Sequence, residues 1–315
     1  MTADLPLVIV GHGTRSAAGV SAFRALVDRV RLLAGDSVPA VGGGFIELSA
    51  PSVSEAVARM PVLSYPEMVA VPLVLTAAGH GKGDIPAALA RERLRHAGLR
   101  WRYGRPLGPH PALLDVLSDR VDAALAGASR AGTYVVLAGR GSTDPDANAE
   151  VAKIARLLWE GRGYAGAEFC FISLAEPSVP AALEKVRRLG ADRVVVALYF
   201  LFPGVLPDRV AAQSHDFARS TGLDVRVADV IGDCPQLAGL VLERYAEAIR
   251  GDIRMNCDTC AYRIALPGFA DKTGRPQLPH DHPDDPVGHT HAHPGHLDAD
   301  RHQHLSAEPG HGHGR

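Results

Sequence analysis

The chain carries one sequence pattern twice, and any fold it adopts must satisfy both copies. Val8-Ile9-Val10-Gly11-His12-Gly13 is matched by Val136-Leu137-Ala138-Gly139-Arg140-Gly141. Phe45-Ile46-Glu47-Leu48-Ser49-Ala50-Pro51-Ser52 is matched by Phe171-Ile172-Ser173-Leu174-Ala175-Glu176-Pro177-Ser178. Positions 12 and 140 lie 128 apart, and positions 45 and 171 lie 126 apart. A period that long excludes a solenoid and implies tandem duplication of a whole domain.

Each copy alternates apolar runs with helical stripes. Leu7 to Val10 reads as a buried strand. Ala17 to Ala34 follows with Val20, Phe23, Leu26, Val27, Val30 and Leu33 on one helical face, and Gly35-Asp36 ends it. Ala40 to Ile46 is the second strand. Ser52 and Glu55 form the pattern of a capping box opening a short helix to Met60. Met68 to Leu75 is the third strand. A loop with Gly79, Gly81 and Gly83 leads to a helix from Ile85 to His96, a short strand over Leu99 to Tyr103, and a helix from Pro111 to Ala126.

After the small-residue linker Gly127 to Gly132, the series restarts at Tyr134 and ends with a helix over Pro235 to Ile249. An alternation βαβαβαβα implies a parallel sheet covered on both faces, with right-handed crossovers. The expectation is an α/β chain of two tandem flavodoxin-like domains, residues 1–127 and 133–252. Residues 253–315 form a third segment.

Three polar residues stand where strands run out. His12 follows the first strand, Glu47 the second, and His80 the third, after Thr76-Ala77-Ala78-Gly79. In open parallel sheets that edge is where ligands bind. Two imidazoles and a carboxylate converging there suit a divalent transition metal such as Co²⁺, Fe²⁺ or Ni²⁺. The second copy has lost all three: Arg140, Ser173 and Leu206 occupy the matching positions, while the apolar skeleton persists. Structural histidines would have no reason to vanish together. One active site is therefore expected, on the rim of the first domain and facing the second. For His12 alone the competing reading is a polar turn residue; for Glu47 it is a helix cap or a lysine partner.

The remaining sequence limits the function classes. A net charge of −2 and no basic stripe argue against a nucleic-acid partner. Four cysteines in 315 residues are too few for a disulfide scaffold and fit a reducing cytoplasm. No signal peptide is read at the N-terminus, and no run reaches the roughly 20 apolar residues of a membrane span. Residues 271 to 315 hold ten of the fifteen histidines and six prolines, a composition expected to be disordered. Their imidazoles are available to metals at neutral pH. Upstream, Met255-Asn256-Cys257-Asp258-Thr259-Cys260 offers a Cys-x-x-Cys pair, half of a zinc or iron–sulfur site. The alternative for Cys257 and Cys260 is a redox-active pair that holds no metal.

The segment Val8-Ile9-Val10-Gly11-His12-Gly13-Thr14-Arg15, the Phe45-Ile46-Glu47 step and the strand running to Gly79-His80 resemble the sirohydrochlorin chelatases of the CbiX and SirB type. The resemblance covers residues 5 to 250 and includes the fused two-copy architecture. It implies a chelatase-like fold and a lyase that inserts a divalent metal into sirohydrochlorin without nucleotide hydrolysis. The pathway would be cobalamin or sirohaem biosynthesis. Cobalt is favoured by the Cys-x-x-Cys and the histidine tail, with iron next.

By the resemblance, His12 would be proton acceptor and metal ligand, His80 the second metal ligand, and Glu47 would contact substrate or metal. Val74, Leu75, Thr76, Ala77, Ala78 and Gly79 would line the tetrapyrrole pocket. The long cobaltochelatases carry a similar Met-x-Cys-x-x-Cys with an iron–sulfur centre. The substrate's eight carboxylates call for cations at the rim, where Arg15, Lys82, Arg140 and Arg209 are candidates. A non-catalytic metal carrier on the same scaffold is the alternative from another class, and a bilobal small-molecule receptor is a third.

Overall fold

The structure is a computed structural model that describes residues 5–62, 64–251 and 271. In the first repeat, β1 (Leu7–Gly11), β2 (Val41–Phe45), β3 (Glu67–Pro72) and β4 (Arg100–Tyr103) alternate with α1 (Ala17–Ala34), α2 (Val53–Ala58), α3 (Ile85–Arg95) and α4 (Pro111–Leu125). The second repeat supplies β5 (Thr133–Gly139), β6 (Gly166–Phe171), β7 (Arg193–Leu198) and β8 (Asp224–Val227). Between and after these strands run α5 (Pro145–Trp159), α6 (Val179–Arg188), α7 (Val205–Thr221) and α8 (Pro235–Arg250). Each repeat forms one parallel four-stranded sheet, in the orders β2-β1-β3-β4 and β6-β5-β7-β8.

The central strands β1 and β5 are buried at both faces, so their apolar runs are continuous rather than alternating. Local signals set the boundaries. Ser52 and Glu55 make the expected capping box on α2, each side chain meeting the other's backbone N–H. The register also verifies the duplication: Leu7 pairs with Val69, and 128 and 126 residues later Val135 pairs with Val195.

Two features differ from the sequence reading. The glycine-containing stretch after β3 is not a loop throughout; residues His80–Asp84 form one turn of π-helix that runs directly into α3. Packing also crosses the expected boundary between 127 and 133. Helix α4, the last of repeat one, packs on β7, β8 and α5 of repeat two. Helix α8, the last of repeat two, packs on α1, β3 and β4 of repeat one.

Each repeat thus completes the other's helical layer. One apolar cluster runs through both, with Ile9, Phe23 and Leu117 from the first and Leu137, Tyr199 and Val241 from the second. Both sheets fall within one compact unit. No helix among the described residues is long and apolar enough to cross a membrane. The Cys257–Cys260 pair and the histidine-rich tail lie outside the described residues.

Candidate active site

The order β2-β1-β3 places three strand ends side by side, and the turns beyond them carry the polar residues. The β1–β2 ladder continues past the strands. Ile46 N–H donates to Gly11 O at 3.0 Å and Glu47 N–H to His12 O at 3.1 Å. This locks positions 12 and 47 next to each other. Gly13 makes the approach possible: its φ is +115°, and a Cβ there would fall 1.9 Å from the Glu47 carbonyl oxygen. Ser49 closes the turn, accepting from Thr14 N–H at 3.0 Å and donating to Thr14 O at 2.5 Å.

The three side chains meet. His12 Nε2 lies 2.8 Å from Glu47 Oε1, and the His12 and His80 rings pack edge to face with centroids 4.1 Å apart. His12 Nδ1 sits 3.1 Å from Gly13 O. His80 Nδ1 lies 2.7 Å from Asp84 Oδ2, one helical turn on. A carboxylate accepts and does not donate, so the hydrogen of His80 sits on Nδ1 and the lone pair on Nε2. Burial holds the His80 pKa down at about 4; the Asp84 contact opposes the shift, while His12 and Arg140 add to it. Among the described residues, no three His, Cys, Asp or Glu side chains stand as a ready ion site. Here His12 and Glu47 face each other rather than a shared central point.

The other expected positions divide. Arg15 is exposed at the turn into α1. Val74 to Gly79 form the connection from β3 to the π turn. Val74 and Leu75 pack partly buried against the apolar cores, and their carbonyls accept from Leu107 and Gly108 N–H. Ala77 is buried. Lys82 is not on a rim: its side chain is 6% exposed and its ammonium lies 2.7 Å from Asp144 Oδ2 and 3.2 Å from Asp146 Oδ2. Arg209 is half-buried on α7. Arg140, the counterpart of His12, feels the Glu47 charge and contributes to the field at His80; burial lowers its pKa and Glu47 opposes that.

Sequence reasoning missed Asp84, Asp144, Asp146 and Glu150. Asp84 sits four residues after His80, a spacing that pairs side chains once the segment is helical. Asp146 and Glu150 fall on the buried stripe of α5 with Ala147, Val151 and Ile154. Acidic residues on an apolar face are the signal that could have found them.

Comparison with known proteins places these features in a family. A family model described as CbiX matches residues 6–124 and again 134–248. A sirohydrochlorin cobaltochelatase of Priestia megaterium is 32% identical over 263 residues, covering 82% of this chain and 85% of its own. A sirohydrochlorin ferrochelatase of the same organism is 28% identical over 205 residues, covering 65% and 76%. The structure of SirB from Bacillus subtilis with Fe3+ superposes with a TM-score of 0.70 at 26% identity, covering 79% of this chain and 97% of that one.

Proposed function

The chain belongs to the CbiX family, and from that premise we propose that it is a sirohydrochlorin chelatase, an enzyme that inserts a divalent metal ion into sirohydrochlorin. Cobalt is the favoured ion and iron the next. The observation that carries this reading is the meeting of His12, Glu47 and His80 at the carboxyl edge of one sheet only. The higher identity and wider coverage of the cobaltochelatase support cobalt.

Insertion exchanges two pyrrole N–H protons for one M²⁺, so the site must accept protons and hand over an ion. His80 suits the hand-over. Its pKa of about 4 keeps it neutral at physiological pH, and Asp84 leaves the Nε2 lone pair directed away from Nδ1. His12 suits the proton transfer. Its ring lies between the Glu47 carboxylate and the Gly13 carbonyl. Both acceptors are met when both ring nitrogens carry hydrogen, the form His12 takes after receiving a proton. Glu47 is then the next acceptor in reach. For His12 to hold the incoming ion instead, its 2.8 Å contact with Glu47 opens, and both groups become donors to the metal.

Cys257 and Cys260 would hold an iron–sulfur cluster or second metal, and the histidine tail would concentrate ions near the site. Buried free thiols at Cys170 and Cys234 support a reducing, cytoplasmic setting.

The test is to mix purified protein with sirohydrochlorin and Co²⁺ or Fe²⁺ and follow the absorbance change. The expected result is acceleration over the uncatalysed reaction, lost by about 100-fold or more in His12→Ala. A metal carrier would bind the ion without accelerating insertion. Unchanged turnover in His12→Ala would remove the assigned role.

A further inference from the structure

His80 sits in an unusual place, the first residue of a π-helical turn. Such turns are rare and occur frequently at functional sites. From within the first repeat Tyr103 of β4 donates to Gly81 O at 2.7 Å, and the charged contacts to the turn come from the repeat that lost the site residues. Lys82, the middle residue of the turn, places its buried ammonium between Asp144 Oδ2 at 2.7 Å and Asp146 Oδ2 at 3.2 Å. Asp144 caps α5 through its other oxygen, 3.1 Å from Asp146 N–H. One turn further along α5, Glu150 Oε2 accepts from Ala77 N–H at 3.0 Å, just upstream of His80. The four side chains are buried.

Duplication gives an internal control. The same helix-to-loop approach occurs in mirror form, where a Cβ on Gly19 of α1 would lie 2.8 Å from Pro203 O, before α7. The three acids and the lysine are absent there. The counterparts of Asp144, Asp146 and Glu150 in α1 are Ser16, Ala18 and Ala22, and the counterpart of Lys82 is Asp208. Helix α7 also begins without a π turn, from an N-cap at Gly204. Acidic helix, lysine, π turn and histidine therefore occur together once and are missing together once. A general folding requirement would act on both copies alike.

We propose that Lys82, Asp144, Asp146 and Glu150 are positioning residues: the second repeat is a brace that holds the π turn and so aims His80 into the site. This rests on the chelatase reading for its kinetic consequence but not for its structural one. The brace fixes the azimuth of the ring, because a relaxed α-helical turn would rotate residue 80 relative to α3. It acts on the ion hand-over rather than on macrocycle binding, so kcat should respond and the KM for sirohydrochlorin should not.

The test compares Lys82→Met, Lys82→Arg, Glu150→Leu and Glu150→Gln in the full chain. The conservative variants keep an ammonium-like donor or an amide oxygen that still accepts from Ala77. The readouts are the ¹⁵N ring resonances of His80, assigned with His80→Ala, and steady-state insertion of Co²⁺. The expected result is that Lys82→Met and Glu150→Leu displace the His80 resonances and lower kcat at least 10-fold, with KM within twofold. Lys82→Arg and Glu150→Gln should recover kcat to within threefold of the parent.

Folded Lys82→Met and Glu150→Leu proteins with unmoved His80 resonances and kcat within twofold would overturn the proposal. Should Lys82→Met fail to fold, the Glu150 pair, which leaves the buried cation its partners, decides the same question. If the parent protein shows no insertion at all, the chelatase reading fails on its own, and the His80 resonances alone decide the brace.

Discussion

At the scale of single residues, His80 shows how placement sets chemistry. An imidazole in water has a pKa near 6.5, whereas here burial lowers it to about 4. The folded state therefore binds fewer protons than the unfolded chain between those values. A group with a depressed folded pKa contributes stability above the unfolded value and loses it as pH falls. The His80 contribution should thus be complete above roughly pH 6.5 and decline progressively towards pH 4, by on the order of 3 kcal/mol. Urea unfolding of parent and His80→Gln at pH 7.5, 6, 5 and 4.5 checks this. The stability gap between the two should shift in favour of the variant as pH falls, and a flat gap would show that His80 is solvated. His12, Glu47 and His80 were legible in the sequence because each directly follows an apolar strand run or its glycine-ended extension. Asp84 was hidden by the glycines around it, since His80-Gly81-Lys82-Gly83-Asp84 has the composition of a loop. Its helical geometry, and hence the His80–Asp84 pairing, comes from packing that local sequence does not encode.

At the scale of elements, boundaries followed from caps and periodicity, while partners did not. Ser52 with Glu55, and proline near the start of α4 and α8, mark those helix starts locally. An apolar stripe says that a helix is buried but not which sheet buries it, so the exchange of α4 and α8 was invisible in sequence. Beside its apolar face, which joins the shared core, α8 has a polar anchor on the first repeat. Arg244, fully buried, donates to Pro106 O at 3.0 Å and Leu107 O at 3.1 Å and pairs with Glu247 at 2.8 Å. Arg105 joins Glu247 through two 2.8 Å bonds and holds that carboxyl below its usual pKa. Removing Arg244 leaves two carbonyls without this donor inside a packed interface. Arg244→Ala should therefore cost about 3 kcal/mol, measured as a lower urea midpoint. A loss below about 1 kcal/mol would mean that apolar packing alone fixes the exchange.

At the scale of the whole molecule, on the proposed reading labour is divided between the two copies. The first repeat keeps the three chemical groups, and the second supplies carboxylates that grip the segment carrying one of them. The two-copy architecture was plain in sequence because matched motifs lie 126 to 128 residues apart. The dependence of one copy on the other was not, because it resides in contacts between residues more than 60 positions apart, such as Lys82 with Asp144. The histidine-rich tail would add a third function, as an ion store tethered near the site. Deleting residues 271–315 should leave insertion unchanged at saturating Co²⁺ and slow it when Co²⁺ is scarce; equal rates under scarcity would remove the reservoir role.

All of this chemistry requires a single metal-handling site in the amino-terminal repeat. An anomalous difference map from a crystal soaked in Co²⁺, recorded at the cobalt absorption edge, would locate the ion. The expected peak lies within bonding distance of His80 Nε2, with His12 or Glu47 turned towards it, and none appears at Arg140, Ser173 and Leu206. Density at the second repeat's edge, or a first-repeat site left empty while cobalt binds elsewhere on the folded core, would contradict it.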